Sequence, residues 1–211
     1  MTLALAALVA GFVHVLSGPD HLAAMAPYAV EGRARAWRTG VRWGLGHSTG
    51  VLGVGLLALM LRDTLHLEAL SVFGERCVGF VLIAIGIRAA LAVIRLRRGR
   101  HEHRSGDHGH APYAIGTVHG LAGSSHVLGI ASALVLPSDL TAAAYLLLFG
   151  VGSVAAMGLF SSLVGGLAGA RGIPGVTTQS ALLALCSVVA VAVGGFWLFS
   201  EFSFAHRLAA L

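Results

Sequence analysis

Residues 11–22 read GFVHVLSGPDHL, and residues 116–127 read GTVHGLAGSSHV. Six positions are identical in this register: a glycine, a valine, a histidine, a leucine, a second glycine and a second histidine. Both copies lie in long apolar stretches, where an imidazole or a carboxylate is costly and usually functional. A duplicated pair of histidines at membrane depth is typical of a transporter whose two halves share one cation site.

The composition is that of an integral membrane protein. The chain has 211 residues, of which 56 % are hydrophobic and 11 % charged, and its mean hydropathy is +0.84. In a soluble domain about a quarter of the residues are charged. The net charge of +5 comes from arginine alone, because the chain has no lysine. In a membrane protein such charge orients loops, so we expect a lipid bilayer and no nucleic acid as its surroundings.

Charged residues, glycines and prolines divide the chain into apolar spans long enough for membrane helices. We predict six helices, at about 2–30, 43–61, 77–94, 113–136, 140–168 and 176–200. The repeat makes helices 1–3 equivalent to helices 4–6, and three spans per copy reverse the direction of the second copy. The expected fold is an all-α integral membrane protein with six transmembrane helices, arranged as two three-helix inverted-topology repeats with broken helices 1 and 4.

The domain boundaries and the orientation follow from the same division. The first repeat comprises residues 1–97, a His-rich cytoplasmic linker residues 98–112, and the second repeat residues 113–211. The loops after helices 1, 3 and 5 hold ten arginines against three on the opposite side, which places the odd-numbered loops inside and both termini outside. No basic region precedes the first apolar run, so we expect a retained helix. The predicted location is the cytoplasmic (inner) membrane of a prokaryote.

Candidate metal ligands concentrate at the expected breaks of helices 1 and 4. Pro19 has no N–H and disfavours a helical Gly18, so helix 1 should break there. Asp20 then falls in the first turn of the second half-helix, where the helix dipole favours a negative charge. Helix 4 repeats the arrangement around Gly123. Imidazoles with one carboxylate suit nickel, cobalt, zinc or copper rather than magnesium or calcium. The predicted ligands are His14, Asp20, His21, His47, His119 and His126.

A histidine in a membrane helix also has a structural explanation, a hydrogen bond to a neighbouring helix. This alternative stays open, most of all for His47, which lies just inside helix 2. The duplicated register, the acid and the helix break favour the metal site. The second helices match more weakly, because residues 44–47 read GLGH and residues 150–153 read GVGS.

Residues 101–110 read HEHRSGDHGH, with four histidines and two acids. Such a tract is a candidate for loose metal collection. The alternative is a soluble linker that only joins the repeats. The candidate auxiliary ligands are His101, His103, His108 and His110.

Residues 14–21, HVLSGPDH, and residues 45–49, LGHST, resemble the signatures of the nickel/cobalt transporter superfamily. Those signatures are an H-x4-D-H helix and an L-G-H-S-T helix, and the superfamily includes six-helix proteins of the urease-accessory type. This chain has five residues between His14 and Asp20 where the signature has four, and six predicted helices where the uptake permeases have eight. The resemblance implies that His14, Asp20, His21 and His47 match metal-site positions and that the metal is nickel or cobalt.

These observations together predict a secondary transporter for a divalent transition-metal cation, Ni²⁺ or Co²⁺ first and Zn²⁺ or copper next. We expect no enzyme activity and no permanently bound cofactor, and no nucleotide-binding motif is visible. A homo-oligomer or a metallochaperone is the expected partner. Two other classes stay open: a membrane electron carrier of haem or dithiol type, and an accessory metal-handling subunit of another transporter.

Overall fold

The computed structural model describes residues 2–60, 67–98, 110–122, 126–169 and 175–208, and this part of the chain is almost entirely helical. A 3-10 turn at Arg33–Arg35 joins the second helix to the third. The helices, in chain order, are α1 (Thr2–Ser17), α2 (Pro19–Gly32), α3 (Ala36–Met60), α4 (Leu67–Arg97), α5 (His110–Ala122), α6 (His126–Leu134), α7 (Asp139–Ala168) and α8 (Gly175–Leu208). The all-α class is therefore confirmed.

Four helical segments of the described chain are long and apolar enough to cross a membrane. They are Pro19–Met60, Arg76–Arg97, Asp139–Ala168 and Thr178–Phe199, and the apolar helix Thr2–Ser17 is shorter. The first segment contains both α2 and α3. Large apolar side chains such as Phe80, Leu163 and Phe196 are exposed on these helices, as expected for a surface that contacts lipid.

The predicted interruption of helix 1 is confirmed at Gly18. This residue is extended, with φ −86° and ψ 103°, and it separates α1 from α2. In the second half, α5 ends at Ala122 and α6 begins at His126, and the predicted break at Gly123 lies outside the described residues.

The helix ends differ from those predicted, most clearly in the first half. α3 begins at Ala36 rather than Trp43, and α4 at Leu67 rather than Cys77. Hydropathy marks only the part of a helix that is apolar, whereas backbone hydrogen bonding continues through polar residues at its ends. The apolar span Arg76–Arg97 agrees with the one predicted at about 77–94, and the helix α4 that contains it extends further at its N-terminal end.

Two glycines at equivalent positions of the repeat allow the halves to approach each other closely. A Cβ atom on Gly11 of α1 would overlap the backbone carbonyl of Phe149 in α7. A Cβ atom on Gly116 of α5 would overlap the backbone carbonyl of Trp43 in α3. Each half thus places its first helix against a long helix of the other half, with the partners exchanged. Small residues at such contacts are the usual route to close helix packing in membranes.

The long helices pair in opposite directions. In α3 and α7, Gly40 lies against Met157, and Gly55 lies against Leu146. In α4 and α8, Gly79 lies against Gly194, and the Ser187 hydroxyl donates a hydrogen bond of 2.8 Å to the carbonyl oxygen of Gly86. The shorter helices α1, α2 and α5 pack against these two antiparallel pairs. They bear four of the six predicted metal ligands, His14, Asp20, His21 and His119.

Candidate metal centre

Four histidines and one aspartate from four helices meet in the interior. His21, His47 and His119 have no exposed surface, and Asp20 and His14 are 5 % and 9 % exposed. The ring centroid of His21 lies 4.7 Å from that of His14, 4.9 Å from that of His47 and 4.8 Å from that of His119. His21 is therefore the centre of the cluster.

The helix break at Gly18 positions the two ligands that follow it. Pro19 is the first residue of α2, where its missing N–H has no helical partner to lose. A Cβ atom on Gly18 would collide with the His21 ring and crowd the Asp20 carboxylate. The positions of the His21 and Asp20 side chains therefore leave no space for a side chain at Gly18. The break leaves Asp20 in the first turn of α2, where a negative charge is favoured.

The Asp20 carboxylate bridges the two halves of the chain. Its Oδ1 lies 3.1 Å from Nδ1 of His21, and its Oδ2 lies 3.1 Å from Nε2 of His119. Because an ionised carboxylate only accepts hydrogen bonds, each of these nitrogens donates its proton to Asp20. The second nitrogen of each ring then presents a lone pair, as in the carboxylate–histidine pairs that support metal ions.

Two groups of three side chains have ligand atoms within 4.8 Å of one another. One consists of His14, His21 and His47, and the other of Asp20, His21 and His119. Nε2 of His21 and Nδ1 of His119 are buried and have no hydrogen-bond partner in the part of the chain that the structure describes. A buried polar atom in this state costs about 1–3 kcal/mol, which a bound ligand would recover. Imidazole nitrogens and one carboxylate fit a divalent transition metal.

The structure brings together His14, Asp20, His21, His47 and His119, five of the six predicted ligands. The sixth, His126, begins α6, but its side chain lies outside the described residues. In the auxiliary tract His101, His103 and His108 also lie outside them. His110 is the first residue of α5 and is exposed, more than two helical turns before His119.

The second half contributes no counterpart of His47. Its equivalent by sequence, Ser153 of α7, is buried and donates hydrogen bonds to the carbonyl oxygens of Gly11, at 3.2 Å, and Phe149, at 3.0 Å. Ser153 therefore holds α7 against α1 and offers no imidazole. At these equivalent positions α3 thus supplies an imidazole and α7 a hydroxyl.

Two aromatic neighbours of the centre carried no signal in the sequence. The ring of Phe149 lies 5.2 Å from that of His14, and the ring of Trp43 lies 6.3 Å from that of His119. Both aromatic residues are buried. They exclude water from the cluster, which strengthens its electrostatic interactions.

Comparison with known proteins shows similarity to two proteins of Arabidopsis thaliana. The chain is 38 % identical over 210 residues to the chloroplast protein FOR GROWTH AND FERTILITY 2, which covers 90 % of this chain and 56 % of the relative. It is 35 % identical over 214 residues to the chloroplast protein FOR GROWTH AND FERTILITY 1, with 92 % and 58 % covered. The chain thus spans little more than half the length of these relatives.

A bacterial relative identifies the family. The chain is 30 % identical over 171 residues to the urease accessory protein UreH of Bacillus sp. (strain TB-90), with 74 % of this chain and 73 % of that protein covered. The chain belongs to the UreH family. This membership agrees with the resemblance of the LGHST and HVLSGPDH segments to a superfamily that includes proteins of the urease-accessory type. No protein-family model matches the chain, and no solved structure is significantly similar to it.

Proposed function

We propose that this UreH-family protein is a secondary transporter that moves a divalent transition-metal cation, nickel or cobalt, across a membrane. One observation carries the proposal. Five buried side chains with metal-ligand chemistry, from both halves of the chain, form one cluster with His21 at its centre. Ionisable residues inside membrane helix bundles are rare, and they mark ion pathways. The similarity to a urease accessory protein and the resemblance to the nickel/cobalt transporter superfamily support the choice of metal.

The proposed architecture is the six-helix inverted repeat, in which α1 with α2 and α5 with α6 are the two interrupted spans. The exchanged contacts of Gly11 with Phe149 and of Gly116 with Trp43 support it, because a two-fold relation between the halves produces such an exchange. The antiparallel pairing of α3 with α7 supports it as well. In this arrangement the centre lies at the repeat interface, where transporters of this kind bind their substrate.

Within the centre, His14, His21 and His47 bind the cation through ring nitrogens. Asp20 orients His21 and His119 and supplies negative charge that offsets the dication. The ligands bind metal only when deprotonated, so exchange with protons is chemically direct. The membrane potential contributes about 2.3 kcal/mol per charge per 100 mV to inward movement. No permanent cofactor and no enzymatic step enter the proposal.

The proposal also covers the location and the partners of the protein. We place the protein in the inner membrane of a prokaryote, with the metal ion and the lipid bilayer as its partners and a homo-oligomer or a metallochaperone as a further partner. The Arabidopsis relatives are chloroplast proteins by name, so related chains also occur in a plastid.

Reconstitution of the purified chain into proteoliposomes tests the function. Influx of nickel, cobalt, zinc and copper is compared for the parent protein, His21→Ala and the control Leu163→Ala, whose side chain is exposed on α7. We expect fast nickel or cobalt influx in the parent and the control, and the rate of protein-free liposomes in His21→Ala. Metal binding without flux in the parent would instead favour the accessory subunit, and a haem absorption band would favour the electron carrier.

A further inference from the structure

A charged pair lies outside the metal centre, near the end of α2. Oε2 of Glu31 lies 3.1 Å from Nη1 of Arg88 on α4, and the two side chains are 26 % and 29 % exposed. Arg88 belongs to the apolar segment Arg76–Arg97, where a charge is costly and usually functional. Its Nε and Nη2 are buried without a hydrogen-bond partner among the described residues. The ion pair through Nη1 of Arg88 thus links α4 to the end of α2.

A row of rings connects this pair with the metal centre. The Arg88 guanidinium lies over the ring of Tyr28, 4.1 Å from its centroid. The Tyr28 ring lies 5.8 Å from that of Trp43, and the Trp43 ring 6.3 Å from that of His119. Along α2 the distance from Asp20 to Glu31 is about 16 Å. The row therefore leads from the centre toward the end of α2, with the fully buried Trp43 in its middle.

The second half of α2 has two features that allow it to move. Pro27 lies inside the helix, one residue before Tyr28, and removes a backbone hydrogen bond there. Arg33, directly after α2, has φ 47°, a conformation that costs free energy in a residue with a side chain. Its guanidinium is tied to Oε1 of Gln179 on α8 at 2.6 Å. A segment bounded by a proline and a strained residue can swing as a unit when its side-chain contacts break.

We propose that Tyr28 and Trp43 plug the cation path between the metal centre and the end of α2, and that the Arg88–Glu31 pair locks this plug. The inference rests on the proposed transport function. A site near mid-membrane must be closed on one side at a time if transport is to proceed by alternating access. The two rings close the path by their bulk. Separation of α2 from α4 moves Tyr28 away from Trp43 and opens the path.

Thiol labelling of a cysteine inside the plug tests the lock. Ala24 is buried on α2, one turn from Asp20 and one turn from Tyr28, so Ala24→Cys reports access to the path. It is introduced after Cys77 and Cys186 have been replaced by alanine. A membrane-impermeant cationic thiol reagent is then added to either face of proteoliposomes. We expect Arg88→Gln and Glu31→Gln to raise the labelling rate about tenfold from one face only, because the closed state loses its lock.

Three comparisons make the result specific to the pair. Arg97→Gln, at the exposed end of α4, should label as slowly as the parent. The exchange Glu31→Arg with Arg88→Glu restores opposite charges and should restore slow labelling. Nickel affinity, measured by isothermal titration of the same variants, should stay within about threefold of the parent, because the pair lies three helical turns from the ligands.

Two results would overturn the inference. One is that Arg88→Gln and Glu31→Gln label no faster than Arg97→Gln from either face. The other is that labelling is equally fast in the charge exchange and in the single variants. A parent protein that binds no nickel would contradict the proposed function instead, and the labelling rates would still show whether the barrier exists.

Discussion

Oδ2 of Asp20 lies 3.1 Å from Nε2 of His119, across the boundary between the two halves of the chain. The other carboxylate oxygen holds His21, so one acid orients an imidazole from each half. A buried charge is retained only where it is paired or binds a metal. A movement that separates α2 from α5 stretches this bridge. In the proposed transporter, Asp20 therefore couples cation binding to the arrangement of the two halves.

Asp20→Asn removes the charge of this residue and keeps its shape. The amide keeps the size of the side chain and one acceptor, so the protein should fold. Loss of the charge that offsets the dication should weaken nickel binding about 10- to 100-fold, the usual effect of removing a carboxylate behind a metal-binding histidine. Isothermal titration measures the affinity, and Asp139→Asn at the start of α7 is the control. An unchanged affinity in Asp20→Asn would show that the carboxylate is only structural.

His21→Ala should be the most damaging single ligand change. His21 belongs to both groups of ligand atoms, whereas His14 belongs to one. Alanine preserves the helix, because it is the best helix former. Nickel binding should vanish in His21→Ala and weaken in His14→Ala, as read by titration and by vesicle flux. Parent-like binding and flux in His14→Ala, Asp20→Asn and His21→Ala alike would leave interhelical hydrogen bonds as the role of the cluster.

Local rules of the chain were sufficient to predict the break in helix 1. Proline lacks an N–H and restricts its predecessor, and neither effect depends on the rest of the fold. The repeat added His119, because its register with His14 is visible in the sequence. A repeat shows equivalence, however, and not contact. The bond from Asp20 to His119 depends on how the halves pack, and no pattern in the sequence pairs these two residues.

The contacts from Trp43 through Tyr28 to Arg88 could not be predicted from the sequence either, because they also depend on packing. The three residues come from α2, α3 and α4 and share no spacing or motif. Arg88 lies inside an apolar span, and the structure shows its partner, Glu31. The identity of that partner depends on the side-by-side placement of α2 and α4. The role of Ser153 depends on packing as well, since its hydroxyl donates a hydrogen bond to the backbone of α1.

Replacement of the histidines at 101, 103, 108 and 110 by alanine tests the tract between the halves. If the tract gathers metal, the apparent nickel affinity of transport should fall while the maximal flux persists, because the ligands of the centre remain. Proteoliposome uptake over a range of nickel concentrations distinguishes the two quantities. Complete loss of flux with normal membrane insertion would place the tract in the transport path itself.

The orientation of the chain is tested by labelling from each face of oriented vesicles. The excess of arginine in the odd-numbered loops predicts that residues 98–110 face the cytoplasm. Single cysteines at Ser105 and at Arg62 should then react with an impermeant reagent from opposite sides. Labelling of position 105 from outside would refute the orientation. Labelling of both positions from one side would show that the third predicted span, between them, does not cross the membrane.

Because the two halves approach closely, replacement of glycine by alanine should have opposite effects on stability at different positions, according to what surrounds each glycine. Gly11→Ala and Gly116→Ala each place a methyl group against a backbone carbonyl of the other half, so α1 or α5 must move away. Such overpacking costs about 1–3 kcal/mol. Gly53→Ala in α3 meets nothing within 4 Å, and there alanine should stabilise the helix by up to about 1 kcal/mol. Thermal unfolding in detergent measures all three. An equal shift of the midpoint in Gly11→Ala and Gly53→Ala would contradict the exchanged contacts on which the proposed repeat depends.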